Sequence, residues 1–395
     1  MNQENERLSG TGIVLLASWI LLVLTGLLMT ISVPSVYAQE RFGNALFFFK
    51  RQLIFAVLAG ITIYLVNRIP YRLFLYPRFI QLTFATTTLF LFLVLILPPI
   101  RSVHRWIHIG PFTFQPSELA KFALVLYIAY HGHRLGSTQF KRILFGALPV
   151  TIITLFWGFL ILKEPDLGNT VIFLGIALTM LYMGGTPLKT FLIPAGSLAS
   201  ITTLLIIMGR IPSYWMDRIM AYLDPEQYAL TIAYQRIQAM IALGHGGFFG
   251  VGYGRSLQKL YYLPEAHHDY VFAIIGEEFG LIGTLFVLGL YLVFLIAGFQ
   301  LARRNNDFGG RLLAAGLTTW IGLQALTNIS IVTGLFPPKG LVLPFVSYGG
   351  TSLMLHSLAT GILLSLDRFR YHPVSWLHTG PLFDDGDDPT ASWSI

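Results

Sequence analysis

Residues 12–33 read GIVLLASWILLVLTGLLMTISV and contain no charged side chain. A run of about 20 apolar residues is long enough to cross the hydrocarbon core of a bilayer as a helix. The run exceeds the apolar core of a secretory signal peptide, which is about 7–15 residues long, and only Arg7 supplies a basic residue before it. We therefore interpret this stretch as an uncleaved first membrane span.

Apolar runs of similar length recur along the whole chain. Of its 395 residues, 54% are hydrophobic and 11% are charged, whereas soluble domains carry roughly 25% charged residues. So few charges cannot cover the surface of a soluble protein of this length. The pattern predicts an all-α, polytopic membrane domain at residues 1–370, followed by a short cytoplasmic tail at 371–395. The ten predicted spans lie at residues 12–34, 52–67, 79–99, 117–131, 143–162, 169–183, 190–208, 270–300, 312–333 and 350–367.

The distribution of basic residues predicts the orientation of these spans. An even number of spans places both termini on one side, and loops rich in Lys and Arg face the cytoplasm. The long loop at residues 209–269, between spans seven and eight, is then extracytoplasmic. Within it, Asp224 is placed to cap a helix that begins at Pro225 and ends near Gly244. We expect this helix to lie along the outer membrane surface.

Composition also excludes several classes of partner and site. The net charge of +7 comes with no basic run and no basic-aromatic motif, which argues against nucleic acid. The bases are better explained by contact with the headgroups of membrane lipids. The chain has no cysteine, so disulfides, thiolate metal sites and cysteine nucleophiles are excluded.

Charged residues cluster near the outer ends of the predicted spans, and because charge is costly at the membrane their positions indicate candidate functional residues. Arg105 and Trp106 precede Glu118 and Lys121, which lie three apart on one helical face. They could form an internal ion pair or a cationic cleft for a pyrophosphate-linked lipid. In the next outer turn, Asp166 is better explained as a helix cap than as a chemical group.

A second acidic position, Asp269, stands at the entrance of the eighth predicted span beside His267 and His268. It could cap that helix, bind a metal with the histidines, or act as a general base whose pKa is raised by burial. Adjacent residues rarely point at one ion, so we predict no metal site here. Glu277 and Glu278 lie inside the span, and we expect them to pair with Lys121 or with an arginine.

The last cluster contains Lys339 and the stretch PFVSYGGTS at residues 344–352. Backbone so rich in Pro and Gly is not a plain helix, so it predicts a re-entrant or outer loop lining a polar cavity, with a packed turn as the alternative. Ser347 has no histidine and aspartate arrangement around it that would make it a nucleophile.

Taken together, these motifs resemble the SEDS (shape, elongation, division and sporulation) family over residues 10–370. The stretch at Leu263–His267 and the stretch at Pro338–Gly340 are more similar to division members of the family than to elongation members. One departure is His268, where the family commonly has threonine. The stretches that carry the resemblance are Arg105–Ile107 with Gly110–Phe112, Gln115–Lys121, Pro165–Gly168, Leu263–His267 with Asp269, Glu277–Gly280 and Pro344–Gly350.

This resemblance implies a specific activity and location. Family members have ten spans, and they polymerise lipid II into peptidoglycan glycan strands in the bacterial inner membrane. A division member would act at the septum with a class B penicillin-binding protein as the transpeptidase and with other divisome proteins. The resemblance marks Asp269 as catalytic. The substrate-binding residues we predict are Arg105, Trp106, Lys121, Glu118, His268, Lys339 and Ser347.

In the mechanism that follows, Asp269 accepts a proton from the acceptor hydroxyl, while Arg105 and Lys121 neutralise the departing pyrophosphate. No cofactor is required, although a divalent Mg²⁺ or Mn²⁺ could share the work of the cations. Three alternatives stay open: an elongation-type polymerase, a flippase for lipid-linked precursor, and a non-catalytic membrane scaffold.

Overall fold

The computed structural model describes residues 8–98, 105–109, 112–164, 166–187, 190, 213–260 and 262–370. Nearly all regular structure in these ranges is helical. The helices are α1 Gly10–Ser32, α2 Ser35–Phe42, α3 Phe47–Val66, α4 Pro77–Ile96, α5 Pro116–Phe140, α6 Leu148–Lys163, α7 Leu167–Met183, α8 Ser213–Leu223, α9 Tyr234–Gly246, α10 Val271–Arg304, α11 Phe308–Val332 and α12 Gly350–Arg368. A short antiparallel hairpin joins β1 Ile107–Ile109 to β2 Phe112–Phe114, and a 3-10 turn at Tyr71–Leu75 and a π turn at Ile143–Ala147 precede α4 and α6.

The helices confirm the all-α, polytopic membrane class. Within the described ranges, six helical segments are long and apolar enough to cross a membrane: Gly10–Ser32, Phe47–Val66, Pro77–Ile96, Ile143–Lys163, Val271–Arg304 and Phe308–Val332. Three more predicted spans coincide with α5, α7 and α12. The predicted span 190–208 falls almost wholly, and the tail 371–395 entirely, outside the described residues.

Helix α11 is the central helix of the bundle. Its most apolar window is 78% buried, whereas that of α4 is 22% buried and faces the lipid side of the fold. Helices α5, α7, α10 and α12 all pack against α11. Small residues allow this close packing, as at Gly316, where an added Cβ would meet Met180 and Val125.

The two ends of the described chain lie on the same face of the bundle. The backbone N–H and the hydroxyl of Ser9, just before α1, each donate a 2.7 Å hydrogen bond to the carboxylate of Asp367 near the end of α12. This arrangement agrees with an even number of spans. The face opposite to this pair carries the start of α10 and the loop between α11 and α12, where the predicted site residues lie.

The loop between α11 and α12 enters the bundle, which is one of the two positions that its Pro and Gly content predicted, whereas the polar cavity that we expected it to line stays a prediction. An added Cβ at Gly26 of α1 would lie 2.7 Å from the carbonyl oxygen of Val346 and 2.8 Å from that of Phe345. Gly26 precedes the end of α1 at Ser32 by six residues, or about 9 Å along a helix axis. Val346 is fully buried, so the loop is packed inside protein, where irregular backbone is tolerated at membrane depth.

The helix predicted to begin at Pro225 begins nine residues later. Residues 225–233 form a series of turns, and α9 starts at Tyr234 and ends at Gly246, close to the predicted end. Asp224 accepts only a 3.4 Å hydrogen bond from the backbone N–H of Gln227. The hydroxyl of Thr231 donates to the carbonyl of Tyr228, which is the kind of local bond that competes with helix formation.

The eighth predicted span is not one continuous helix. Gly280 of α10 has φ 67° and ψ −160°, which breaks the helix. The loop after α9 fills the break, because Val251 donates to the carbonyl of Glu277 and Leu281 donates to the carbonyl of Gly247, both at 2.9 Å. Residues 281–304 alone extend about 36 Å, which is sufficient to cross a bilayer. Residues 271–279 are therefore not needed to make this helix long enough to span.

The prediction that Glu277 and Glu278 pair with Lys121 or an arginine is wrong. Glu277 accepts hydrogen bonds from the hydroxyl of Ser256 and from the backbone N–H of Leu257. Glu278 pairs with Lys259 at 3.2 Å. The break at Gly280 turns both carboxylates toward the loop that follows α9, where these donors lie, instead of toward the bundle centre.

We expect Gly280→Ala to lower the free energy of unfolding by about 1–3 kcal/mol, because alanine is strained at this φ and its Cβ would collide with the backbone of Phe248 and Gly250. Gly289→Ala is the matched control in the same helix, since nothing lies within 4 Å of the added Cβ. Thermal unfolding of the purified protein in detergent measures both. Equal melting temperatures for the two variants would show that the break contributes nothing to stability.

Candidate functional site

A cationic cluster forms where the starts of α5 and α7 meet the loop after α11. At its centre, Asp166 caps α7 by accepting from the backbone N–H of Asn169 at 3.2 Å. Its other carboxylate oxygen accepts from the side chains of Asn169 at 2.8 Å and Gln115 at 3.2 Å. Lys339 forms a direct ion pair with Asp166, and the Nε of Arg105 lies 4.0 Å from the Asp166 carboxylate.

Asp166 stays ionised in this cluster. Burial opposes its charge, but attraction to Lys339 and then to Arg105 outweighs burial and lowers the pKa of Asp166 to about 2. Burial lowers the pKa of Lys339 to about 8, a shift that Asp166 partly offsets. Near neutral pH the three groups therefore carry two positive charges and one negative charge, which leaves a net positive charge for an anion.

Beside this cluster lies an unusual carboxyl group, that of Glu164. Its side chain is fully buried, and among the described residues neither carboxyl oxygen has a hydrogen-bond partner. Burial, helped by repulsion from Asp166, raises the pKa of Glu164 to about 9 despite the nearby Arg105 and Lys339. Glu164 is therefore neutral near pH 7 and does not cancel the positive charge of the cluster.

We expect Glu164→Gln to stabilise the protein increasingly as the pH rises from about 5 to about 9. The folded-state pKa of Glu164 lies above its ordinary value of 4.5, so its stabilising contribution is complete below about 4.5 and is lost as the pH approaches about 9. The isosteric amide does not titrate. The difference in unfolding free energy should grow by at most about 1.4 kcal/mol per pH unit.

Melting temperatures across this pH range, measured against wild type, test the expectation for Glu164. Glu226→Gln is the control for the same chemical change at an exposed position, because Glu226 lies in the turns before α9. A constant offset for Glu164→Gln would mean that Glu164 is ionised in the folded protein.

Asp269 lies next to this cationic cluster, in the loop that leads into α10. The helix begins at Val271 after Tyr270, with no side-chain cap, so Asp269 does not cap it. The backbone carbonyl of Asp269 accepts a 2.8 Å hydrogen bond from Asn328. Among the described residues, none donates a hydrogen bond to the Asp269 carboxylate. Burial is the main cause that raises the pKa of Asp269, to about 6.

Lys339 and Gly340 connect the cationic cluster to Asp269. Lys339 reaches Asp166, and an added Cβ at Gly340 would collide with the Asp269 carboxylate. An added Cβ at Gly168 would lie 2.6 Å from the Nζ of Lys339. Two glycines thus permit the close approach of the acid and the lysine, and the loop after α11 places them side by side.

Lys121 and Glu118 lie deeper in the bundle. The Nζ of Lys121 donates to Glu118 at 2.7 Å, to Gln324 at 2.7 Å and to Asn169 at 3.1 Å, and Lys121 is fully buried. An ammonium group has three protons, so all its donors are engaged. This geometry favours the internal ion pair over direct contact with a pyrophosphate. The predicted substrate-binding role of Lys121 and Glu118 gains no support from it.

The remaining predicted residues lie around Asp269 and Arg105. His268 donates through Nδ1 to the carbonyl of Tyr348 at 2.9 Å. The hydroxyl of Ser347 accepts from the backbone N–H of Leu343 at 2.8 Å and is buried within the re-entrant loop. Trp106 is partly exposed beside Arg105 at the start of β1.

Sequence reasoning missed several polar residues of the site. Asp166 was assigned to capping alone, whereas it both caps α7 and anchors Lys339. The amide side chains of Gln324 and Asn328 hold Lys121 and the backbone of Asp269. Their spacing of four residues inside an apolar helix was an available signal, because it places two costly amides on one face.

Comparison with known proteins gives this site its context. Residues 13–372 match the family model FtsW/RodA/SpoVE, described as "Cell cycle protein". The protein named "Probable peptidoglycan glycosyltransferase FtsW" from Trichlorobacter lovleyi is 37% identical over 366 residues, which cover 91% of this chain and 94% of the relative.

Solved structures agree in fold. A chain from the structure described as "Structural coordination of polymerization and crosslinking by a peptidoglycan synthase complex" matches with a TM-score of 0.76 and 27% identity, covering 91% of this chain and 98% of that one. The crystal structure of the Thermus thermophilus rod shape determining protein RodA matches with a TM-score of 0.61 and 26% identity, covering 90% and 97% of the two chains. The chain therefore belongs to the FtsW/RodA/SpoVE family of cell cycle proteins, the SEDS family that its motifs resemble.

Proposed function

We propose that this protein is a peptidoglycan glycosyltransferase that polymerises lipid II during septal cell-wall synthesis. The observation that carries the proposal is the position of Asp269. Its carboxylate accepts no hydrogen bond from the described residues, and it lies beside Gly340, next to a net positive cluster of Arg105, Lys339 and Asp166. The name of the Trichlorobacter lovleyi relative supports the same reaction.

Asp269 is the general base of the proposed reaction. The oxygen of an acceptor sugar hydroxyl attacks the anomeric carbon of the growing chain and forms the new glycosidic bond. The bond from that carbon to the lipid pyrophosphate breaks, and the hydroxyl proton passes to Asp269. A base with a pKa of about 6 is largely ionised near pH 7 and still has useful proton affinity, which suits this role.

Arg105 and Lys339 are the cations proposed to receive the negative charge of the departing pyrophosphate. Arg105 is 15% exposed, and its guanidinium can bind phosphate oxygens in a bidentate way. Lys339 is held by Asp166 and adjoins Gly340. Lys121 acts as a positioning residue, because it links α5, α7 and α11 through Glu118, Asn169 and Gln324.

The proposed setting is the bacterial inner membrane at the division septum, with both termini in the cytoplasm and the site facing outward. The proposed partners are a class B penicillin-binding protein, which supplies the transpeptidase, and other divisome proteins. Similarity to a chain from a peptidoglycan synthase complex that combines polymerization and crosslinking supports this partnership. A role for Mg²⁺ or Mn²⁺ beside the pyrophosphate stays a prediction.

A reconstituted polymerisation assay tests the function directly. The purified protein, with its penicillin-binding partner, is incubated with fluorescent lipid II, and the products are separated on a gel that resolves glycan length. We expect a ladder of glycan strands. The elongation-type alternative shares this result and is distinguished by a fluorescent fusion, which should mark the septum and not the side wall.

The flippase alternative is tested in proteoliposomes that contain lipid II on one leaflet. Movement of lipid II between leaflets without any glycan product would overturn the proposed function in favour of transport. Absence of both activities, from protein that remains monodisperse and folded, would favour the scaffold.

A further inference from the structure

Two histidines and one glutamate converge in the loop that precedes Asp269. One ligand atom from each of Glu265, His267 and His268 lies within 4.8 Å of the other two. The Nε2 of His268 is 3.6 Å from a carboxylate oxygen of Glu265, and the two imidazole rings have centroids 4.4 Å apart. From the sequence we predicted no metal site, because adjacent residues rarely point at one ion; in the fold, however, the adjacent His267 and His268 do converge, and they do so with Glu265 and not with Asp269.

Among the described residues, His268 uses only one of its two ring nitrogens for a hydrogen bond. Its Nδ1–H donates to the carbonyl of Tyr348 at 2.9 Å, which is the outer-shell bond that metal-binding histidines usually make. This bond directs Nε2 toward Glu265. A ring nitrogen and a carboxylate oxygen that lie this close repel each other unless a proton or a metal ion lies between them.

His267 is the second, independent observation. Its side chain is only 9% exposed, and in the described part of the chain no group hydrogen-bonds to its ring. Its ring packs against Phe48, with centroids 4.9 Å apart, while its backbone carbonyl accepts from Tyr348 at 2.9 Å. A ring nitrogen that no described group engages can serve as a ligand, and a metal ion would satisfy it.

We propose that Glu265, His267 and His268 bind a first-row transition metal ion, with Zn²⁺ as the best fit. Two imidazoles and one carboxylate are a frequent zinc ligand set, and imidazole prefers such metals to Mg²⁺. Tetrahedral Zn²⁺ with bonds of about 2.0–2.1 Å places its ligand atoms about 3.3 Å apart. The 3.6 Å pair already approaches this spacing, and a small rotation of the His267 ring brings in the third ligand.

The bound ion would act as a clamp. It would fasten the loop that carries Asp269 to the re-entrant loop, because His268 is bonded to Tyr348, and to α3, because His267 packs on Phe48. It is separate from the Mg²⁺ or Mn²⁺ that could assist the pyrophosphate, and it does not depend on the proposed function.

Metal binding by the full-length protein in detergent tests this site. The protein is purified without a polyhistidine tag, treated with a chelator and dialysed, and then titrated with Zn²⁺ in competition with a chromophoric chelator. Titration with Co²⁺ in place of Zn²⁺ reports the ligand field by visible absorption. We expect one tight equivalent of Zn²⁺ per chain and a Co²⁺ spectrum of a four- or five-coordinate site.

His268→Thr removes a ligand, so it should weaken Zn²⁺ binding by no less than the roughly 10–100-fold that loss of an outer-shell partner typically costs. It should also abolish the Co²⁺ spectrum. His133→Ala is the matched control, since His133 also faces a carboxylate, that of Asp307 at 3.1 Å, on the far face of the bundle. If His268→Thr does not fold, Glu265→Gln is measured instead, with the same expectation. The proposed site would be overturned if wild type and the His268 or Glu265 variant bind Zn²⁺ equally, or if wild type binds no Zn²⁺ in the titration.

Discussion

Asp269→Asn is expected to reduce the rate of lipid II polymerisation by about 10²–10⁴-fold, the usual contribution of a positioned general base. Asparagine has the same shape as aspartate, so it fits beside Gly340, but its amide does not accept the proton of the acceptor hydroxyl. The backbone carbonyl at this position would still accept from Asn328. The loss should therefore appear in kcat with little change in melting temperature. Initial rates of glycan synthesis from fluorescent lipid II, measured with the transpeptidase partner present, give this number.

Asp224→Asn is the control for this measurement. Asp224 is exposed on the same side of the chain, in the turn before α9, where it makes one weak backbone hydrogen bond. Its replacement removes one negative charge without touching the site, so activity should stay within about twofold of wild type. A comparable rate for Asp269→Asn and wild type would remove Asp269 from the mechanism.

Asp166→Asn is expected to cost about 3–5 kcal/mol of stability, because it leaves Lys339 buried without its partner. Asparagine still caps helices well, so the start of α7 keeps its capping group and the measured loss reports the missing charge. Activity should fall as well, since Lys339 would leave its place beside Gly340. Melting temperature and polymerisation rate are measured on the same preparation.

A double-mutant cycle separates the two effects of Asp166. Lys339→Met removes the positive charge and keeps most of the apolar stem, so the double variant Asp166→Asn, Lys339→Met no longer contains an unpaired buried charge. It should regain most of the stability lost by Asp166→Asn. Its activity should remain low, because a cation proposed to bind pyrophosphate is missing. Recovery of activity in the double variant would contradict the role of Lys339.

The sequence-based interpretation was most accurate for the spans. The boundaries of α1, α3, α4, α6 and α7 fall within a few residues of those predicted, because each depends on the length of one apolar run. It was least accurate where backbone conformation depends on distant partners. A single glycine in an apolar run, such as Gly280, does not by itself predict a break in a helix. The break is stable because residues 247–252 supply the missing backbone hydrogen bonds.

The site residues show the same contrast between what the sequence predicts and what depends on distant partners. The resemblance marked Asp269, and the residue types suggested a cationic region around Arg105. We predicted both Lys121 and Lys339 as substrate-binding residues and took Lys121 as the second cation of the mechanism. The structure places Lys339 beside Asp269 and engages Lys121 with three acceptors inside the bundle. It assigned Asp166 one role where the structure gives it two. Which lysine lies next to Asp269 is decided by how the helices and loops pack, so it cannot be read from the sequence.

Local composition is sufficient to specify a helical, membrane-embedded chain, because the free energy of placing about 20 residues in lipid depends on those residues alone. The pairing of polar and charged side chains that are far apart in the sequence is not specified by local composition. Lys339 and Asp166 are 173 positions apart, and Ser32 and Glu278 are 246 positions apart. Such pairs form only after helices have packed in one register, since a difference of one helical turn would separate the donor from its acceptor.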